Sequence, residues 1–270
     1  MMLLKKFFAA LLALAMSLTL SAALAEDNSL QAILDKGTFI IGLDDSFPPM
    51  GYRDENNDIV GFDIDVARAV AEKLGVEFIA QPISWEAKEL ELSSGNIDCI
   101  WNGMSITPER EESMAMTFPY LNNQIVCYTK DDAAIASLAD LAGKSVAVQN
   151  SSYAEELLLS DDYADVKATF ADMPGFEDYL TALMDLQQGG VDAVIMDLVV
   201  GDFRINSMGA ENLKAAFALE DDNYGIGFRK DDLALRDKVQ DILKEMKADG
   251  SLAAISEKWF GSDITVVAQD

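Results

Sequence analysis

FIIGL (39–43), DIDVARAVAEKLG (63–75), VEFIAQPI (76–83), AKELELSSG (87–95) and IDCIWNGM (97–104) alternate short β-rich runs with helical patterns. Such alternation predicts βαβ units and a mostly parallel sheet. The helix from about Asp63 puts Ile64, Ala67, Val70, Ala71 and Leu74 on one apolar face. It stops at Gly75, which suits the left-handed conformation that closes a helix, and it reads as scaffold.

Outward from this stretch the pattern repeats. A second series starts near Cys127: IVCYTK, SLADLAGK, SVAVQ, SYAEELLL, VKATF, a helix through Tyr179 to Gln188, and VDAVIMD. Two series of similar size imply two lobes. YGIGFRK from Tyr224, a long helix from about Leu233 to Met246 and another toward Trp259 read as a return to the first lobe. Chain crossings are expected near Asn122 to Val126 and near Ala216 to Asp221. The lobes are then residues 26–124 with 219–270, and residues 125–218.

Met1 to Ala25 opens with Lys5 and Lys6, runs through FFAALLALAMSLTL and closes on Ala23-Leu24-Ala25. A basic start, an apolar run and a small-x-small ending predict a secretory signal cleaved after Ala25. The run is shorter than the roughly 20 residues of a membrane-spanning helix. No cysteine stands at the cleavage point, so no lipid tether is expected, and an untethered carrier implies a periplasm.

Of all 270 residues, 50% are hydrophobic, enough for a sizeable core. The net charge of −27 opposes sequence-independent attraction to nucleic acid or anionic lipid. There is no histidine, which removes the commonest general base, every Ser-His or Cys-His nucleophile and most zinc sites. Cys99 and Cys127 lack a CxxC spacing; one disulfide and two buried thiols both fit, because the distance between them is not in the sequence. Asp54, Asn56 and Asp58 alternate as in a calcium loop, but Ile59 and Asp65 stand where such a loop needs glycine and a bidentate glutamate. A hairpin turn with Asn57 in the left-handed region is expected instead, and no metal site or cofactor is anticipated.

In order along the chain, IGLDDSFPPMGY, VGFDIDVARAVAEKLG, SWEAKELELSSGNIDCIWNGMSITPER, FPYLNNQ, LAGKSVAVQ, GGVDAVIMD and YGIGFRKDD resemble the polar amino-acid-binding proteins of ABC uptake systems, in the periplasmic binding protein superfamily. The resemblance covers about Leu30 to Ser262. It implies an α/β, two-lobed fold of type II, with mixed sheets, flanking helices and a two-strand hinge. It also implies a soluble monomer that captures a free, polar amino acid and delivers it to a transporter permease.

A zwitterion taken from water needs an opposite charge and hydrogen bonds at each pole. The family places its carboxylate-binding arginine at Arg110, whose guanidinium matches a carboxylate with two parallel donors. Ser105 and the backbone of Gly103 and Ser105, beside Asn102, are expected to assist. Asp197, ending VDAVIMD, is expected to receive the ammonium, and could also cap the helix that follows. The ends of strands are where open α/β sheets hold ligands.

Phe47 and Trp85 match aromatic positions flanking the ligand side chain, where ring faces shield a stem or hold a cationic tip. Asp44 matches a side-chain contact and favours an amide, a hydroxyl or a cation; Asp45 should face away, because adjacent strand residues point to opposite sides. After VAVQ this chain departs from the family's glycine with Asn150-Ser151-Ser152-Tyr153. Gln149 and Ser152 are the candidate contacts there, and the choice among the hydroxyls of Ser151, Ser152 and Tyr153 stays open. The ligand itself is not fixed by sequence: a neutral polar amino acid, a basic one and cystine all fit. A dehydratase-like enzyme, with Asp44 or Asp197 moving the proton, and a sensory module are the readings from other classes.

Overall fold

The computed structural model describes residues 27–268. The stretch expected to be a signal lies outside the described residues. Twelve strands are described: β1 (Thr38–Leu43), β2 (Ser46–Phe47), β3 (Gly51–Arg53), β4 (Ile59–Val60), β5 (Glu77–Pro82), β6 (Cys99–Ser105), β7 (Met114–Met116), β8 (Leu121–Lys130), β9 (Val146–Gln149), β10 (Gly175–Phe176), β11 (Ala193–Asp197) and β12 (Leu213–Arg229). Nine join one sheet in the order β10-β9-β11-β8-β12-β6-β1-β5, with β7 also on β12; β2-β3-β4 form a small separate sheet.

Within the large sheet, β5, β1 and β6 are mutually parallel, and so are β10, β9 and β11. Between these groups run β8 and β12, antiparallel to each other and to their neighbours. Their register extends from Leu213 opposite Lys130 to Tyr224 opposite Leu121. This pair is the two-strand hinge of a two-lobed molecule: the sheet passes from one lobe to the other through it.

The expected helix is Phe62–Leu74; Ile64, Ala67, Val70, Ala71 and Leu74 are all buried, and Gly75 ends it at φ 77°. Tyr179–Gln188, Leu233–Asp249 and Ser251–Phe260 also fall where periodicity puts them. Two segments differ. SLADLAGK contributes one tight turn, Leu138–Leu141. VKATF is no strand: it ends the short helix Ala164–Lys167 and turns so that the Thr169 carbonyl accepts from Gly143 N–H. The edge beside β9 is taken by Gly175–Phe176 instead.

The core packs on both faces of the sheet. One cluster gathers Phe39, Ile41, Phe62, Trp101, Tyr120 and Phe228 under the helices; another holds Ile125, Cys127, Val146, Leu157 and Ile195 in the second lobe. Cys99 and Cys127 are both free and buried. In the acidic loop, Asp54 Oδ1 accepts from the N–H groups of Asn56 and Asp58 at 2.9 Å, and Asn57 sits at φ 67°. Those bonds make it a turn, and no metal-binding cluster occurs among the described residues. No described helix is long and apolar enough to cross a membrane.

Candidate functional site

The strand ends of both lobes face each other across a cleft. From the first lobe, β6 carries Asn102, Gly103 and Ser105, and Arg110 lies on the helix Pro108–Ser113, whose cap Thr107 accepts from the Arg110 N–H. From the second lobe come Gln149 at the end of β9, Ser152 capping the helix Tyr153–Leu159, and Asp197 at the end of β11. Nine of the expected residues line one cavity: Phe47, Trp85, Asn102, Gly103, Ser105, Arg110, Gln149, Ser152 and Asp197, together with Tyr153. Asp44 lies in an adjoining cavity of about 290 Å³, with Asp45, Glu86, Glu177 and Asp178, and Trp85 borders both.

The inner cavity is about 20 Å³, room for one water. Its walls are drawn together by direct bonds between lobes. Arg110 Nη2 donates to Glu156 Oε1 at 2.7 Å, Gln149 Nε2 to Asp44 Oδ2 at 2.8 Å, and Lys88 Nζ to the Ser151 carbonyl at 3.0 Å. Arg204 Nη2 reaches the Ser46 carbonyl at 2.6 Å on the other flank. Anything larger than water enters only when these bonds part.

Arg110 is buried; its Nη1 donates to the Ser105 carbonyl at 2.9 Å, while its Nε has no partner. Asn102 Nδ2 is likewise unpartnered, its Oδ1 accepting from the Asp44 N–H. Two unmet donors on one wall are costly to bury, and they suit an acceptor group. On the opposite wall Asp197 Oδ1 accepts from Tyr224 OH at 2.7 Å and Asn123 Nδ2 at 2.8 Å. Burial, reinforced by Asp222, pushes its carboxyl up to about 7. Of its two expected roles, the capping bond is not made.

Asp44 Oδ1 accepts from the N–H and hydroxyl of Ser46, and burial raises its carboxyl. Asp45 instead pairs with Arg53 at the surface. Lys88 stands 5.0 Å over the Trp85 ring, and burial followed by the nearby Arg110 lowers its ammonium to about 8. At Gly103, φ is 56° and a Cβ would lie 2.8 Å from the Phe47 ring, so only glycine lets that ring settle.

One expectation needs correction. The Gly103 N–H, expected to assist at the cleft, donates to Asp63 Oδ2 at 2.7 Å in the core below. A carboxylate buried at the start of a helix needs donors, and Asp63 finds them in the Gly103 N–H and the Tyr120 hydroxyl. The departure after VAVQ resolves into Ser151 at φ 55°, Ser152 Oγ accepting from Glu155 N–H, and Tyr153 OH donating to Glu220. Glu156, Lys88, Asn123, Asp222 and Tyr224 escaped the sequence reading, since each belongs to an ordinary helix face or strand and meets the cleft only through long-range packing.

A cleft between two α/β lobes, with a buried cation on one wall and a buried carboxylate on the other, is the layout of a binding protein that closes on its solute. The chain belongs to the bacterial extracellular solute-binding proteins, family 3, whose model matches residues 39–262. It is 30% identical over 244 residues to the L-cystine-binding protein TcyJ of Escherichia coli (strain K12), covering 89% of each chain. With the ABC transporter arginine-binding protein 1 of the same strain it shares 31% identity over 90% of this chain and 98% of the other. A crystal structure of an ABC uptake transporter substrate-binding protein from Streptococcus pneumoniae with bound histidine superposes with a TM-score of 0.85, at 32% identity, covering 90% of this chain and 99% of that one.

Proposed function

We propose that this protein captures a free amino acid between its lobes, residues 26–124 with 219–270 and residues 125–218, and hands it to the permease of an ABC importer. It works outside the cytoplasm, in a periplasm, as a monomer without a cofactor, and turns nothing over. The observation that carries this reading is that Arg110 and Asp197 line the same cavity from opposite lobes. The unmet Arg110 Nε and Asn102 Nδ2 take the carboxylate, and Asp197 takes the ammonium. Because the solute bonds to both lobes at once, it favours the closed form over the open one, which is the differential affinity that closure requires.

Phe47 and Trp85 flank the side chain, which points toward the acidic cavity of Asp44, Glu86, Glu177 and Asp178. A polar or cationic side chain suits those surroundings, in keeping with relatives named for cystine and arginine. Protein refolded from denaturant to strip any bound solute is screened by thermal shift against the free amino acids and cystine, because a bound ligand raises the melting temperature by mass action. Calorimetry with the best ligand should show Arg110→Ala weakening the dissociation constant by about a hundredfold or more, as expected for truncating one partner of a buried charge pair. An unchanged constant sinks the assignment.

A further inference from the structure

Asp197 does not stand alone at its end of the cleft. Asp222, on β12, is 4% exposed, and its Oδ2 accepts from Ser105 Oγ at 2.9 Å and from Asn123 Nδ2 at 2.9 Å. The same Asn123 nitrogen donates to Asp197 Oδ1 at 2.8 Å. One side-chain amide thus stands between two buried carboxyl groups, and Ser105, which lines the cavity, is tied to the second of them.

Charges so close in a buried place disfavour each other, so a pair of this kind titrates as a unit that retains one proton longer than either group would alone. The other groups around the pair do little to offset this. Tyr224 on β12, Tyr128 on β8 and Tyr179 on the helix Tyr179–Gln188 are phenols that burial raises, so they stay neutral. Tyr128 is further occupied by Asp202 on the next helix. Arg110, on the helix Pro108–Ser113, is the cation whose charge reaches Asp222, and its Nη2 is engaged by Glu156. The burial of Asp197 and the neighbouring Asp222 push the Asp197 carboxyl up to about 7.

We propose that Asp222 is a positioning residue that makes the anionic pole of the cleft a carboxyl pair sharing one proton, which is released to solvent when the solute's ammonium arrives. The inference rests on the amino-acid reading of the cleft. The proton count is the same whichever partner carries it: a pair of charge −1 becomes −2 beside an ammonium, or stays −1 beside an amine, and one proton leaves in either case. Capture is therefore linked to pH, and it weakens in mild acid.

Calorimetry tests this with L-arginine, L-glutamine and L-cystine as probes, in phosphate and in Bis-Tris, which both buffer near pH 6 and whose different heats of ionisation reveal protons exchanged. The α-ammonium groups of all three stay protonated below neutrality. For the probe that binds tightest, close to one proton should be released at pH 6.0. The dissociation constant should rise about eightfold from pH 7.5 to pH 6.0, the ratio expected for one competing proton on a group near 7.

In Asp222→Asn, whose amide oxygen can still accept from Ser105, that rise should shrink to about threefold or less, because one of the two leading causes of the Asp197 shift is gone. Ser105→Ala, which leaves both carboxyl groups, should keep the wild-type slope. Any contribution from Asp44, which burial also raises, appears equally in wild type and Asp222→Asn, so the difference between them isolates the pair. No proton release by the wild type, or identical slopes in wild type and Asp222→Asn, overturns the inference and leaves the amino-acid reading standing. If that variant does not fold, Asp44→Asn, which leaves the pair intact, takes its place: proton release retained there supports the pair, and release lost there overturns the inference. Failure of all the free amino acids and of cystine to bind the wild type at pH 7.5 instead overturns the reading of the cleft.

Discussion

Asp63 and Asp197 are two buried aspartates with nearly the same surroundings and different uses. Burial pushes each carboxyl up to about 7. Each accepts from a tyrosine, Tyr120 for Asp63 and Tyr224 for Asp197, and from one further N–H donor. Asp63 lies beneath Phe62, Tyr120 and Trp101 in the first lobe's core, tying the helix Phe62–Leu74 to β6. Asp197 lines the cleft and has a second carboxylate behind it. A perturbed carboxyl by itself therefore marks burial, and it is the cavity and the charge on the facing wall that mark a site.

The widest separation of the two should come from truncation. Asp63→Ala strands the Tyr120 hydroxyl and the Gly103 N–H, each a buried donor whose loss of partner costs about 1–3 kcal/mol. We expect about 3–4 kcal/mol lost in urea unfolding with the dissociation constant within about twofold of wild type. At pH 7.5 Asp197→Asn should do the reverse: a hundredfold weaker binding, about 2.7 kcal/mol, with the melting temperature of the ligand-free protein not lowered, because the variant buries no charge there. If Asp63→Ala abolishes binding in a folded protein, the contrast between the two carboxylates collapses.

A smaller effect should follow from pH. Each carboxyl is protonated in the folded chain below about 7 but in the unfolded chain only below about 3.8. Between those values the native state holds more protons, so stability falls as pH rises through the window, by up to about 1.4 kcal/mol per pH unit per group. Unfolding free energies of wild type, Asp63→Asn and Asp197→Asn at pH 4.5 and 7.5 should show a shallower decline in both variants. A wild-type slope retained in either assigns the decline elsewhere.

The smallest effect concerns Glu156. Its carboxylate is 41% exposed yet holds the Arg110 Nη2, so it competes with an arriving carboxylate while bridging the lobes. Glu156→Gln keeps a hydrogen-bond acceptor and removes the charge, and affinity should tighten by about threefold, because the carboxylate end of the pair is open to solvent and screened, so its charge is worth under about 1 kcal/mol. Weaker binding in this variant would mean that the bridge between lobes matters more than the competition.

Much of the fold was legible in local sequence. The apolar stripe of Phe62–Leu74, its glycine stop and the alternation through β6 follow from periodicities of a few residues, which local sequence encodes. The long reach of β12 was not legible beyond YGIGFRK. LKAAFALEDDN has no alternation of its own and is strand because β8 pairs with it, with bulges at Ala215/Phe217 and Ala218/Glu220 absorbing the mismatch.

The sequence by itself determined the two α/β series and the absence of histidine chemistry, and its family resemblance supplied the expectation that Arg110 and Asp197 face one cleft. Only the tertiary structure decided that Gly103 serves Asp63, that Glu156 faces Arg110, and that Asn123 stands between Asp197 and Asp222. The physical reason is distance along the chain. Side-chain hydrogen bonds act over about 3 Å, and these partners lie 40 to 99 residues apart, so no local pattern records them until the sheet has brought the strand ends together.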